Sequence, residues 1–396
     1  MMNNALMKSI LVTALGVLLI AAGYADLDGY WDKPSTKSNH DWSALEKNMR
    51  PEACAQCHES QFNTWKLSRH SKAYSSGLIG QFPDMGHGQG NDCLRCHAPL
   101  DEQLYSGEPD MLKSLSILRK HPQGFDLNAN LDSPEAKLPL RHSGVSCAVC
   151  HVRSGNRFGP PRKNDNTLGF IKTETHGGFT ASKKFEQSGF CAECHQFPQR
   201  YAINGKPLEN TVFEWQQSRF SKQGKQCQGC HMPDRQHTFK GIHDKDFTRQ
   251  GLDIQVNKKH GLAQLKITST NIGHAFPTYV TPKVLVSAVA LGKRGEVLKT
   301  WRWEIVREVF YGNGWQEKQD TRLMPDESRR YVADNPPKAS QSVRFDIKVV
   351  PDNFYKSVYQ SLLDDDLQAD AKVLIQRALD ETHTNDYVLF SDVVKL

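Results

Sequence analysis

The sequence predicts an α+β protein, with a mostly helical and loop-rich first half followed by a C-terminal Ig-like β-sandwich. All ten cysteines fall between residues 54 and 230, in five copies of one short pattern. The intervening stretches are rich in Gly, Pro, His and Ser and show little continuous periodicity, which reads as short helices joined by loops. From about residue 250 the cysteines stop and short alternating apolar runs begin, the sign of half-buried strands. The hydrophobic share of 38% over 396 residues is low for a globular chain. That deficit is understandable if large apolar bodies other than side chains fill much of the first half.

Residues 1–25 read as a secretory signal. Lys8 supplies a positive start, Ile10 to Ala22 an apolar run, and Gly23-Tyr24-Ala25 a cleavage site before Asp26. The run is shorter than the roughly 20 residues a membrane-spanning helix needs. A periplasmic protein is the expectation, with an extracellular or membrane-anchored one as the alternative. Residues 26–50 form a polar lead-in containing Pro34, Ser35, Thr36 and Ser38.

Residues 51–247 carry the repeated pattern: Cys54-Ala-Gln-Cys57-His58, Cys93-Leu-Arg-Cys96-His97, Cys147-Ala-Val-Cys150-His151, Cys191-Ala-Glu-Cys194-His195 and Cys227-Gln-Gly-Cys230-His231. Two thiols three apart can add across the two vinyl groups of one haem. The histidine that follows places an imidazole under the iron. Zinc ribbons use paired cysteines but have no need of a histidine after each pair, and a disulfide framework would not impose this register. Five covalently attached haems c are therefore expected, with His58, His97, His151, His195 and His231 as proximal ligands. Helices are expected over Gln56 to Ala73 and Val212 to Lys222. The spacing between motifs varies too much for a solenoid.

Residues 248–396 are expected to form the β-sandwich. Strand-like runs lie at Leu252 to Val256, Leu265 to Ser269, Val284 to Leu291, Val297 to Phe310, Val343 to Val350 and Tyr387 to Val394. Trp301 and Trp303, two apart in the fourth run, fall on one face. One late helix is expected at Asp366 to Leu379, where apolar residues recur at helical spacing.

The sixth ligand decides whether a haem passes electrons or does chemistry. Five of the 16 histidines sit in the motifs, so the remainder could supply a distal ring to every iron. The candidates are His70, His142, His176, His237, His243 and His274. Gly177 and Gly178 beside His176 permit close backbone approach to a porphyrin. His274, in Asn271-Ile-Gly-His274-Ala-Phe-Pro-Thr278, would tie the second half to the first. The ordinary reading of a lone histidine, a satisfied surface or turn residue, holds for His40, His260 and His383.

Several stretches resemble bacterial multihaem cytochromes of the cytochrome c-552/4 type. They are Trp65-Lys-Leu-Ser-Arg-His70, Gly144-Val-Ser-Cys147, Glu214-Trp215 with Cys227-Gln-Gly-Cys230-His231-Met232-Pro233, and Gly273-His274-Ala-Phe-Pro-Thr278. The resemblance covers roughly residues 50–290 and implies closely packed haems with mostly two histidines each. It implies His70, His176, His243 and His274 as distal ligands. Tyr279 stands where many relatives have glycine.

The formal charge of +6 does not point to nucleic acid. Basic and acidic residues are interspersed, and each oxidised haem with its two propionates contributes about −1. The expected role is electron transport along a row of haems, with no catalytic residues. The expected partners are other redox proteins, such as a quinol dehydrogenase, other cytochromes or a periplasmic oxidoreductase. Membrane contact would come only by transient docking. The alternative is an oxidoreductase acting on a small nitrogen or sulfur compound at one open-coordinate haem. No motif ends in lysine, so that alternative has no dedicated sequence signature. A third reading is a structural module of a larger conduit.

Overall fold

A computed structural model describes residues 35–36, 42–121, 127, 130–164, 167–173 and 176–396. The expected signal segment, most of the lead-in and His40 lie outside the described residues. Among the described residues no helix is long and apolar enough to cross a membrane.

The architecture is α+β, and the second half contains the expected β-sandwich. One sheet has five antiparallel strands, β1 (Lys283–Leu291), β2 (Val297–Gly312), β3 (Gly314–Asp320), β4 (Ser342–Val350) and β5 (Tyr387–Lys395). Their order across the sheet is β3-β2-β1-β4-β5. The facing sheet has three strands, Leu252–Lys259, Leu262–Ser269 and Ser328–Val332, with the second of these in the centre. Alternation decides which side chains enter the core. Leu262–Ser269 buries every second residue, and Val284, Val286, Ile305, Phe345 and Ile347 meet Leu265 and Ile267 between the sheets. Trp301 and Trp303 pack against that core from its edge; Trp303 leans on Tyr331, and the Trp301 indole N–H donates to Asp334.

The two strands that the sequence pattern did not single out, β3 and Ser328–Val332, are polar. The first has no buried residue and the second buries only Tyr331; both lie at sheet edges. The late helical region also differs from expectation. It holds two helices, α1 (Asn353–Asp364) and α2 (Ala369–Thr384). They do not cover the sandwich. Leu374, Ile375, Ala378 and Tyr359 join Ile79, Phe82, Met111 and Leu115 of the first half in a second core. Arg119 pairs with Asp370 at 2.6 Å, and Arg377 donates to the carbonyls of Leu118, Arg119 and His121. The late helices are thus apolar on a face that the helix Glu108–Arg119 needs.

In the first half the elements are short. The expected helix Gln56 to Ala73 is regular only over Glu59–Trp65, and Val212 to Lys222 is split at Ser218 into Thr211–Gln217 and Arg219–Lys222. Ser218 takes an extended conformation and caps the second helix by accepting from Ser221 N–H. A hairpin follows the third motif, with Val152 opposite Arg157 and Arg153 opposite Asn156. Its two turn residues, Ser154 and Gly155, both have positive φ, as this tight turn requires.

One buried cation binds the two halves together. Arg307, on β2, is fully buried and pairs with Glu317 at 2.8 Å. It also donates to the carbonyls of Ile203, Lys206 and Pro207 in the first half. Every donor face of the guanidinium is used, the condition under which a buried charge is tolerated. Arg307→Met is expected to lower stability by about 2–4 kcal/mol, since three buried carbonyls lose their donor and Glu317 keeps only Lys206 and Asn204. A denaturant titration followed by circular dichroism checks this, and a loss under about 1 kcal/mol would contradict the clamp.

Candidate haem-binding site

The proximal histidines of four motifs each face a second histidine ring. His58 faces His176 with ring centres 5.9 Å apart, and His151 faces His237 at 6.1 Å. His195 faces His70 at 6.2 Å, and His231 faces His274 at 6.3 Å. Imidazole–metal bonds of about 2 Å on each side of a single ion put two ring centres about 6 Å apart. The residues present therefore fit an iron held between two imidazoles at four places.

The ring nitrogens are arranged consistently. An imidazole that gives Nε2 to a metal must place its Nδ1–H against an acceptor, which fixes tautomer and orientation. His97 Nδ1 lies 3.0 Å from the Ala73 carbonyl, His151 Nδ1 2.8 Å from Phe158 and His231 Nδ1 2.7 Å from Lys240. On the distal side His237 Nδ1 meets the Arg235 carbonyl at 3.1 Å and His274 Nδ1 that of Ala275 at 3.0 Å. One acceptor is a side chain: His195 Nδ1 lies 2.6 Å from the Tyr279 hydroxyl. His176 Nδ1 makes no hydrogen bond and faces the Glu46 carboxylate at the ion-pair distance of 3.7 Å. Ser43, hydrogen-bonded to Glu46, and Arg157 beside it hold that carboxyl below its usual range, so it faces His176 as an anion.

Burial keeps the rings neutral, the form that binds a metal. It pushes His70 down to about 3 and His195 and His237 to about 4. His97, His151, His231 and His274 are lowered by the same cause.

Local packing delivers each distal ring. His70 follows Glu59–Trp65, and its carbonyl accepts from Val145 N–H while the Trp65 indole donates to the Val145 carbonyl. Gly144 lies under this crossing with φ +57°, and a Cβ there would meet the His70 carbonyl at 2.6 Å. Only glycine fits. The His274 loop is held by the second half. Phe276 exchanges two backbone hydrogen bonds with Leu323, and Ala275 N–H donates to Glu214. Glu214 is paired with Arg322 at 2.9 Å, both buried, and Arg322 also binds Asp320. The ring of Phe239, in the loop that carries His237, packs on His70 with ring centres 4.3 Å apart.

The motifs also approach one another. The Cys54 and Cys147 thiols are close neighbours, as are Cys96 and Cys194, and Cys191 and Cys227. Cys57, Cys93, Cys150 and Cys230 are likewise unbridged by disulfides. Two candidate distal residues lie elsewhere. His142 is buried edge-on to Tyr74, ring centres 4.9 Å apart. His243 Nε2 lies 3.0 Å from Asp352, which also bonds Asn385. It is His237, not His243, that stands opposite a proximal ring. Among the described residues no histidine ring is paired in this way with His97. Tyr279 of the second half and Glu214 of the first, which orient the ligands, were not among the expected site residues, although Glu214 stands in one of the stretches that carry the resemblance. For Tyr279 the available signal was the glycine-to-tyrosine difference at that position.

Substituting the facing rings tests these assignments. His70→Ala, His176→Ala, His237→Ala or His274→Ala is expected to turn one low-spin haem into a carbon monoxide-binding one. His142→Ala and His243→Ala are expected to leave the spectrum unchanged. Reduced spectra under carbon monoxide distinguish the two sets.

Residues 53–116 match the family described as cytochrome c554 and c-prime. No curated protein matches the sequence. Among solved structures, the chain is similar to a penta-heme cytochrome c552 from Thermochromatium tepidum, with a TM-score of 0.54 and 18% identity. The match covers 88% of this chain and 99% of that one. With the CxxCH motifs and the facing histidines, these likenesses support a multihaem c-type cytochrome of the cytochrome c552/c554 type.

Proposed function

We propose that this chain is an exported electron carrier that holds five haems c and passes electrons along them in the periplasm. The observation that carries this reading is the set of four facing histidine pairs. Two fixed imidazoles per iron leave no position for substrate and keep coordination the same in both oxidation states, so little reorganisation accompanies electron gain or loss. Haem supplies the redox chemistry when bound. The protein's own work is to fix the rings, exclude water and set the environment.

The proximity of the cysteines supports closely spaced haems. The thiol contacts link the first motif with the third, the second with the fourth, and the fourth with the fifth. Partners would be other redox proteins that dock where a haem edge reaches the surface.

A second reading is favoured by one observation. The facing pairs involve the first, third, fourth and fifth motifs, and among the described residues none involves His97. A haem on Cys93 and Cys96 with one axial ring could bind a small nitrogen or sulfur compound.

Optical spectroscopy separates the readings. The matured protein is expected to give five haems per chain by pyridine haemochrome. Carbon monoxide is expected to perturb one-fifth of the reduced absorbance. No response would remove the site for substrate chemistry, and a count below five would overturn the carrier as described.

A further inference from the structure

We infer that Tyr279, supported by Glu209, sets the reduction potential of the haem bound through Cys191, Cys194 and His195. This rests on the proposed haem arrangement and assigns a tuning role to residues of this chain. The argument begins with the backbone. Tyr279 has φ +67°, the left-handed region in which a Cβ is sterically penalised. Such conformations persist where the side chain is needed or the surroundings over-determine them. Here the side chain makes a specific contact. Its hydroxyl lies 2.6 Å from His195 Nδ1, and the two rings lie nearly parallel at 12°.

The hydroxyl has further neighbours. Thr211 and Glu209 stand beside it, both carried on the segment just before and into the helix Thr211–Gln217. A phenol has one hydrogen to donate and two lone pairs. With iron on Nε2, His195 must donate from Nδ1. Tyr279 then accepts from His195, and its own hydrogen is left to turn toward the Glu209 carboxyl beside it. Glu209 Oε2 is shielded from solvent and has no hydrogen-bond partner among the described residues. Glu214, Cys96 and Tyr355 are the other titratable groups in its field.

This arrangement sets the fourth centre apart. The other proximal rings with a defined Nδ1 partner, His97, His151 and His231, donate to backbone carbonyls. A phenol whose hydrogen turns toward a carboxyl is polarised into a stronger acceptor. It draws the His195 proton outward, makes the imidazole a more basic ligand and favours ferric iron. The potential of this haem is thereby lowered.

Potentiometric titration of the matured full-length protein tests the assignment. Tyr279→Phe keeps the ring and removes only the hydroxyl. One of the five redox components is expected to shift to higher potential, with four unchanged and every haem in the spin state it has in the parent. Glu209→Leu is expected to shift the same component in the same direction by less. An unmoved set of five potentials in Tyr279→Phe overturns the inference. So does a new carbon monoxide-binding haem, which would mean that Tyr279 merely holds His195 in place. Peptide mass spectrometry showing no haem on the Cys191–Cys194 motif would overturn the haem arrangement and this inference together.

Discussion

Two imidazoles must meet one iron from opposite sides, and the remaining structure follows from that requirement. The facing rings do not come from neighbouring stretches. His70 follows the first motif but stands opposite the fourth, and His237 follows the fifth but stands opposite the third. His274 enters from the second half to face the fifth. Because the pairs interleave, no stretch of the first half completes its own centre. Short helices and loops suit this task better than long regular elements, since each ring has to be delivered from a different direction. Desolvated, neutral histidines are the chemical counterpart of that geometry.

Rigid delivery demands that irregular backbone be pinned. The Gly144 crossing beneath His70 does this through close approach, and the Glu214–Arg322 pair does it for the His274 loop through buried charge. Arg307 extends the same device to the hairpin around Ile203 and Pro207. These charges are buried with their hydrogen bonds satisfied, so they specify position without leaving an uncompensated ion. The late helices add an apolar attachment at the opposite end, where Leu374 and Ile375 meet Phe82 and Met111. Among the described residues the second half therefore reaches the haem-bearing half through one ligand loop, the buried cations Arg307 and Arg322, and one shared core.

Much of this was legible in the sequence, for identifiable reasons. The motifs are local, so cysteine and histidine spacing alone picks out the five expected proximal residues, four of which face a second histidine ring. Most strands announced themselves by alternation, including the edge strand Leu252–Lys259 with Leu252 and Ile254 buried, whereas β3 and Ser328–Val332 did not, because they are polar and bury at most one residue. The first late helix carries Tyr355, Val358, Tyr359 and Leu362 at helical spacing, a signal that was present and not taken up. The distal histidines could be gathered but not sorted. Ligation depends on which ring a loop turns toward, and nothing in the sequence around His142 or His243 shows that the first packs against the Tyr74 ring and the second bonds Asp352. The role of Tyr279 was out of reach for the same reason, since its partner lies 84 residues away.

The nature of the Nδ1 acceptors bears on how such a protein can diverge. At His97, His151, His231, His237 and His274 the acceptor is a main-chain carbonyl. No codon change removes a carbonyl, so those centres are buffered against drift in their immediate electronic surroundings. At His195 the acceptor belongs to a side chain, Tyr279, and the neighbour that His176 Nδ1 faces at 3.7 Å is the Glu46 carboxylate. A single nucleotide substitution can abolish either one while leaving the fold in place. Adaptation to a new electron donor or acceptor would then be concentrated at two points, with the rest of the wire inherited unchanged.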